Sequence, residues 1–574
     1  MVDRFVPAPK VRSDEIGATT RIKKEVNELK KIVFLIIASL LILGLVLPGC
    51  DGGNGGVVRP KIKIGVPYPW GTTQGTGMIS GAEMAADEIN VAGVFVASEN
   101  KTYDIQIIGR NDNEISNPDD AWIAVDYLVD TAKVDFVVGG FRTEAVEPMI
   151  QKVFRTASPS VPYFIVGSST SELLAGGLSG ASVYPNGYGT PYYAYNASSA
   201  AYEYIFRVSP MNSGFLMGFV LTLFAQAAQD VQSAMGWSFC MTTLSWPHKV
   251  KVAIVAENLT WCQGIIGGYR LMVGALGGLF GWELNLTKTF GDNAPSGEVS
   301  AALTAIENAQ NMLILTALSG PVGITFGKQM GALGIHAIPV GINVEAQNIN
   351  YDISTTGGAE NEITTGTWVE GVNSTDLTAD FIANYKTYTG GAYPVYTAAS
   401  YDMVYALADA IEKADSRDKD DVCDWLRTHD RNTTSAHVAY YPAWDQVTHN
   451  MSGAKDLPAL NAAQVSAIYG PLRVPYHNYT MPPFITNDLI YGPGYATGLG
   501  YQWINGTMVG VYPNSGYDLP YGAPHPLLLV QLQPQSTIQS KLSGIYWSNA
   551  LEYAGIQDIT IPASYVSNWT AWYP

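Results

Sequence analysis

The sequence predicts two α/β units, each a parallel sheet covered by helices, held outside a membrane by one N-terminal apolar helix. Three observations predict it: a charge-free apolar run at residues 32–49, an alternation of strand-like and helix-like runs from residue 61, and a restart of that alternation near residue 249.

The run IVFLIIASLLILGLVLPG spans roughly 27 Å as a helix, close to the hydrocarbon core of a bilayer. Arg21, Lys23, Lys24, Lys30 and Lys31 precede it, so residues 1–31 are expected in the cytoplasm and the remainder outside. Leu47-Pro48-Gly49-Cys50 is similar to a lipoprotein signal in which Cys50 is lipidated. Pro48 and the long N-terminal segment depart from that pattern, and an uncleaved signal anchor is the alternative. Residues 50–60 read as a flexible linker. Ten Asn-x-Ser/Thr sites follow the apolar run: Asn100, Asn196, Asn258, Asn285, Asn373, Asn432, Asn450, Asn478, Asn505 and Asn568. Their clustering on one side of the tether suggests a glycosylated surface protein.

The chain of 574 residues is 47% hydrophobic and carries a net charge of −18. It has apolar mass for large cores, and its acidic balance disfavours nucleic acid as a partner. Cys50, Cys240, Cys262 and Cys423 form no CxxC pair. Cys240 and Cys262 flank an apolar strand-like run, as a disulfide or as two free thiols.

The alternation begins with KIKIGVP at 61–67, a strand. Residues 76–89 follow as a helix with Met78, Ile79, Ala82, Ala85, Ala86 and Ile89 on one face. YDIQII at 103–108 alternates as a strand. Asn117-Pro118-Asp119-Asp120 reads as an N-cap and first turn of a helix carrying Trp122, Val125 and Leu128. DFVV at 135–138 and YFIV at 163–166 are short buried strands separated by a helix. This βαβαβ order implies a parallel sheet. The second unit reads as a helix over 215–228, a strand at 249–256, a helix over 264–277, a strand at 311–316, a helix over 323–333 and a strand at 337–341. Residues 430–500 and 514–574 show no period and are expected as long loops and short strands.

These stretches carry a resemblance. IKIGVPYPWGTTQGTGMISGAEMAADEIN (62–90), VDFVVGGFRTEAVEPM (134–149), VPYFIVGSSTSEL (161–173), KVAIVAENLTWCQG (251–264), YPVYTAASYDMVYALADAIEKA (393–414) and YQWINGTMVGVYP (501–513) resemble the type I periplasmic binding proteins, in the branched-chain amino-acid subfamily serving ABC importers. The resemblance implies two doubly wound lobes joined by a three-segment hinge, with crossings near 206–208, 369–371 and 510–513. It implies lobe one from residues 61–207 and 372–500, and lobe two from 208–371 and 501–574.

Ligands of such folds sit at the carboxyl ends of strands, between lobes. The loops there contain Trp70, which stacks on a ligand or caps the lobe core; Arg142, as a bidentate clamp; and Thr143, which aligns with a family hydroxyl holding a ligand carboxylate at a helix start. Ser168, Ser169 and Thr170 form either part of the same carboxylate site or an ordinary helix cap. Glu144 departs from the family pattern. In lobe two the candidates are Asn258 and Trp261, then Ser319, then Asn343 and Glu345, where an acid commonly pairs with a ligand ammonium; a solvated loop carboxylate is the alternative for Glu345.

No metal-ligand spacing joins His248, His336, His429, His437, His449, His477 and His525, and no nucleophile elbow, phosphate loop or dinucleotide fingerprint occurs. The expected protein is not an enzyme and takes no cofactor or metal. It captures a small polar ligand, an amino acid or related amide or peptide, for an ABC transporter permease. A ligand-sensing ectodomain and an adhesive surface glycoprotein are the alternatives.

Overall fold

The computed structural model describes residues 59–153, 161–170, 204–209, 212–438 except 241 and 244, 498–512, 561–572 and a few isolated positions between 440 and 496. The apolar run, Cys50, Asn196 and Asn478 lie outside the described residues.

The first sheet has the order β2-β3-β1-β4-β5-β6. Its strands are β1 (Lys61–Tyr68), β2 (Val94–Val96), β3 (Lys101–Asn111), β4 (Phe136–Gly139), β5 (Tyr163–Ile165) and β6 (Ile205–Arg207). All pairs are parallel except the β2–β3 edge. Strand β1 is central: Ile62, Ile64 and Val66 are fully buried, and alternation places them on one face.

Helix α1 (Thr73–Asn90) starts where Thr72 Oγ1 accepts the Gly75 N–H at 2.9 Å, an N-cap. Met78, Ala82, Ala85 and Ala86 are buried as expected. Gly81 permits a close crossing, since a Cβ there would lie 2.6 Å from the Ala398 carbonyl oxygen. The helix expected after Pro118 is broken into a 3-10 turn (Pro118–Asp120), α2 (Ala121–Asp126) and a π turn (Tyr127–Thr131). Asn117 does not cap it: its amide donates to Asp120 Oδ2 at 2.7 Å. Helix α3 (Thr143–Val153) follows β4.

The second sheet has the order β13-β12-β11-β10-β9-β7-β8. Helix α4 (Ser213–Ala234) enters this lobe, capped by Asn212, and is its central apolar helix rather than a span: 72% of its most apolar window is buried. Each of its buried Leu and Phe side chains contributes about 1.5–3 kcal/mol. Then come β7 (Val250–Glu257), α5 (Thr260–Phe280), β8 (Trp282–Phe290), α6 (Ser296–Asn308), β9 (Leu313–Leu318), α7 (Val322–Leu333), β10 (Ile338–Asn343), α8 (Tyr351–Thr355) and β11 (Ile363–Gly366). Helices α9 (Thr378–Tyr388), α10 (Ser400–Ala414) and α11 (Lys419–Thr428) return to the first lobe, where Ser400 Oγ donates to the Met78 carbonyl at 2.6 Å.

Strand β12 (Leu499–Ile504) pairs antiparallel with β11, and β13 (Thr507–Tyr512) pairs antiparallel with β12 at the edge of the second sheet. Gly510 and Tyr512, where a crossing was expected, sit inside the edge strand of the second sheet. A second correction concerns the tail, expected as loops and strands. Helix α12 (Ala563–Trp572) packs on lobe two, with Trp569 fully buried and its Nε1 donating to the His336 carbonyl at 3.0 Å. Tyr565, Val566 and Trp569 recur at helical spacing behind Pro562, a stripe too short to stand out in the sequence. Cys240, Cys262 and Cys423 are free thiols, and no disulfide joins the first two.

Candidate functional site

In each sheet the strand order reverses beside the lobe's first strand, between β3 and β4 around β1 and between β8 and β9 around β7. Loops at these carboxyl ends converge on one cleft, partly open to solvent. Lobe one lines it with Phe141, Arg142, Thr143, Gly167, Ser169 and Tyr396. Lobe two adds Leu216, Trp261, Ser319, Ile342 and Val344.

The hydroxyl cluster forms where α3 begins. Thr143 Oγ1 lies 2.9 Å from Ser168 Oγ and 2.5 Å from Thr170 Oγ1, all buried. The 168–170 turn is held from behind by Arg207, whose guanidinium donates to the carbonyls of Ser168 and Thr170, the latter at 2.9 Å. Tyr396 donates its hydroxyl to the Gly167 carbonyl at 2.9 Å.

Arg142 is buried and crosses the cleft: its Nη1 donates to Asp292 Oδ2 at 2.6 Å. Its backbone N–H donates to Glu114 Oε2 at 3.1 Å, and the Glu114 N–H donates to Asp112 Oδ1 at 3.2 Å. Burial raises the pKa of both acids, and their mutual repulsion raises Glu114 further. Across the cleft, Glu257 ends β7 and accepts from the Ser319 hydroxyl at 2.6 Å and from the N–H groups of Ser319 and Gly320. Burial pushes its carboxyl up to about 7 against these hydrogen bonds.

Two acids hold the lobes together. Glu144 Oε1 accepts the Thr260 N–H at the start of α5 at 2.6 Å. Glu345 Oε1 accepts from Gln74 Nε2 at 3.0 Å, and its Oε2 from Thr73 Oγ1 at 3.4 Å. Glu345 is thus buried in an interlobe bridge rather than solvated. Trp70 neither lines the cleft nor caps a core: it is 75% exposed. Asn258 is exposed at the rim. Asn343 is buried behind the cleft, with its amide donating to Tyr351 and Glu362.

Among the nine candidate ligand residues, the cleft brings together Arg142, Thr143, Ser169, Trp261 and Ser319. Ser168 and Thr170 support them from behind. The sequence reading passed over Arg207, Glu257, Asp292 and Tyr396. Arg207 and Glu257 carry a signal, since each is a charge closing an apolar run, Ile205-Phe206 and residues 252–256. Asp292 and Tyr396 carry none, because only the tertiary approach of distant segments gives them a place.

Two sheet-bearing lobes thus enclose one cleft at the carboxyl ends of their strands. The family model described as periplasmic binding protein matches residues 61–455, and the chain belongs to that family. Similar solved structures include a leucine-binding protein from Thermotoga maritima, 14% identical, with 79% of this chain and 97% of that chain covered and a TM-score of 0.51. A branched-chain amino acid transporter substrate-binding protein from Streptococcus pneumoniae, in complex with isoleucine, is 16% identical over 78% and 97% of the two chains at 0.51. A solute-binding protein of an ABC transporter from R. palustris, in complex with benzoate, is 12% identical over 79% and 95% at 0.52. No match is found among curated proteins.

Proposed function

We propose that the chain is an extracytoplasmic solute-binding protein that captures a small carboxylate-bearing solute between its lobes and passes it to an ABC transporter permease. The observation that carries this reading is the convergence of lobe-one hydroxyls and lobe-two loops on one cleft already bridged by Arg142–Asp292, Glu144–Thr260 and Gln74–Glu345. A solute touching both walls binds the closed form more tightly and so shifts the hinge toward closure. Neighbours of this fold bind isoleucine and benzoate, solutes that share a carboxylate and an apolar body. Residues 32–49 would tether the protein, with Cys50 as the lipidation site. Asn100, Asn258, Asn285, Asn432 and Asn505 are exposed, as glycan acceptors must be.

A thermal-shift screen over amino acids, organic acids, amides, peptides and sugars, followed by small-angle scattering with each hit, tests the proposal. The expected result is a stabilising solute that lowers the radius of gyration and is recovered unchanged. Turnover tracking the folded protein, or no stabilising solute of any class, would refute it.

A further inference from the structure

Resting on the solute-binding reading, we infer that closure of the lobes takes up protons, because it seals Glu257 of lobe two beneath Arg142 of lobe one, in a seam where buried carboxylates outnumber cations.

Gly320 marks where the lobes meet. A Cβ built there would lie 3.0 Å from Arg142 Nη2 of lobe one and 3.1 Å from Glu257 Oε1 of lobe two, so guanidinium and carboxylate flank one point on the seam. Glu257 takes its hydrogen bonds from its own lobe, from the Ser319 hydroxyl and the N–H groups of Ser319 and Gly320. Part of its cover comes from the other lobe, through Arg142. Opening the lobes withdraws that cover and lets water reach the carboxylate.

The seam is short of positive charge. Arg142 is the cation that bears on Asp112, Glu114 and Glu257 alike, and its Nη1 is already held by Asp292. Asp112 Oδ2 and Glu114 Oε1 are buried without a hydrogen-bond partner, as are Arg142 Nε and Nη2. Cys262 on α5 and Tyr396 of lobe one also face Glu257, with Glu144 beside Cys262, and none of these brings a positive charge. Several carboxylates around one guanidinium cannot all stay ionised out of water, so some hold protons instead. Burial accordingly raises Asp112 and Glu257 to about 7 and lifts Glu114 well above the usual carboxylate range.

The direction of the coupling follows. Glu257 has a higher pKa sealed in the seam than in water, so the closed form binds more protons than the open form. Closure is favoured as pH falls towards the ordinary carboxylate value and is lost as pH rises through about 7. A closed form that holds protons also holds solute more tightly in mild acid and releases it as pH rises.

Small-angle scattering of the purified full-length protein without solute, at constant ionic strength from about pH 5 to about pH 7.5, reads closure directly. The expected result is a smaller radius of gyration in acid, with the closed-to-open ratio falling about tenfold or more across that range. Glu257→Gln, neutral throughout, should remove most of the response. Glu362→Gln should keep it, because Glu362 is an equally raised acid buried within lobe two against Asn343 and Tyr351. A parent radius that does not change with pH overturns the inference, whether or not the variants fold. It leaves the solute-binding reading intact, since the solute screen tests that separately. A response as steep in Glu257→Gln as in the parent, or flattened equally by Glu362→Gln, overturns it too, for the protons then act away from the seam.

Discussion

The carboxylate of Glu144, on the first helix turn after β4 in one lobe, accepts the backbone N–H of Thr260, the first residue of α5 in the other lobe, at 2.6 Å. An acid from one lobe thus caps a helix in its neighbour and lies against the positive end of that helix dipole. The contact exists only when the lobes are closed, so its free energy belongs to closure rather than to the folding of either lobe.

Glu144→Ala removes that cap. About 1 kcal/mol of closure free energy should go with it, which is roughly a fivefold rise in Kd. Scattering without solute should show a larger radius of gyration than in the parent protein, while the unfolding temperature of the separate lobes changes little. A radius identical to the parent's would show that Glu144 does not hold the lobes.

Arg207→Met strips the carbonyls of Ser168 and Thr170 of their shared donor inside a buried strand. Losing charge-assisted hydrogen bonds to buried carbonyls costs on the order of 2–4 kcal/mol. The expected outcome is a lower melting temperature together with weakened solute binding, because the turn that positions the hydroxyl cluster relaxes. Retained affinity in a destabilised variant would limit Arg207 to a packing role.

Thr143→Ala and Thr170→Ala each remove one member of the hydroxyl cluster and should weaken binding by roughly 1–3 kcal/mol, measured by calorimetry on a confirmed solute. Trp70→Ala, at an exposed position outside the cleft, should leave affinity unchanged. The reverse pattern would move the site to the rim.

Glu257 gives the fold a pH signature. Its pKa is raised in the folded state to about 7, against 4.5 for the free side chain, so the folded protein binds more protons than the unfolded chain between those values. Stability should therefore fall as pH rises from about 4.5 through 7. Glu257→Gln should flatten that slope in denaturant titrations at pH 5 and pH 7.5. The steepness shared with Glu362, also raised to about 7 by burial, should remain. A slope identical in variant and parent would mean that Glu257 is ionised throughout.

The strand and helix pattern of both lobes was legible because it is written in local periodicity. Ile62, Ile64 and Val66 alternate on β1, and Met78, Ala82, Ala85 and Ala86 recur on α1; each bound is a matter of a few residues. Thr143, Ser168 and Thr170, singled out because they follow parallel strands, come together in one buried hydroxyl cluster. The helix at 563–572 was missed because three apolar residues are a weak signal. Its stability comes from burying Trp569 against lobe two, a contact 233 residues away in sequence.

The sequence by itself determined the alternating elements, the two-unit organisation and the chemical types available in the strand-end loops, since these depend on neighbours within a few residues. Only the tertiary structure decided what each charge does. Arg142 meets Asp292 across 150 residues, Glu345 meets Gln74 across 271, and Glu144 meets Thr260 across 116. A carboxylate that reads as a ligand partner in one dimension becomes an interlobe bridge when folding brings a donor to it, because a buried charge takes the nearest partner that desolvation allows.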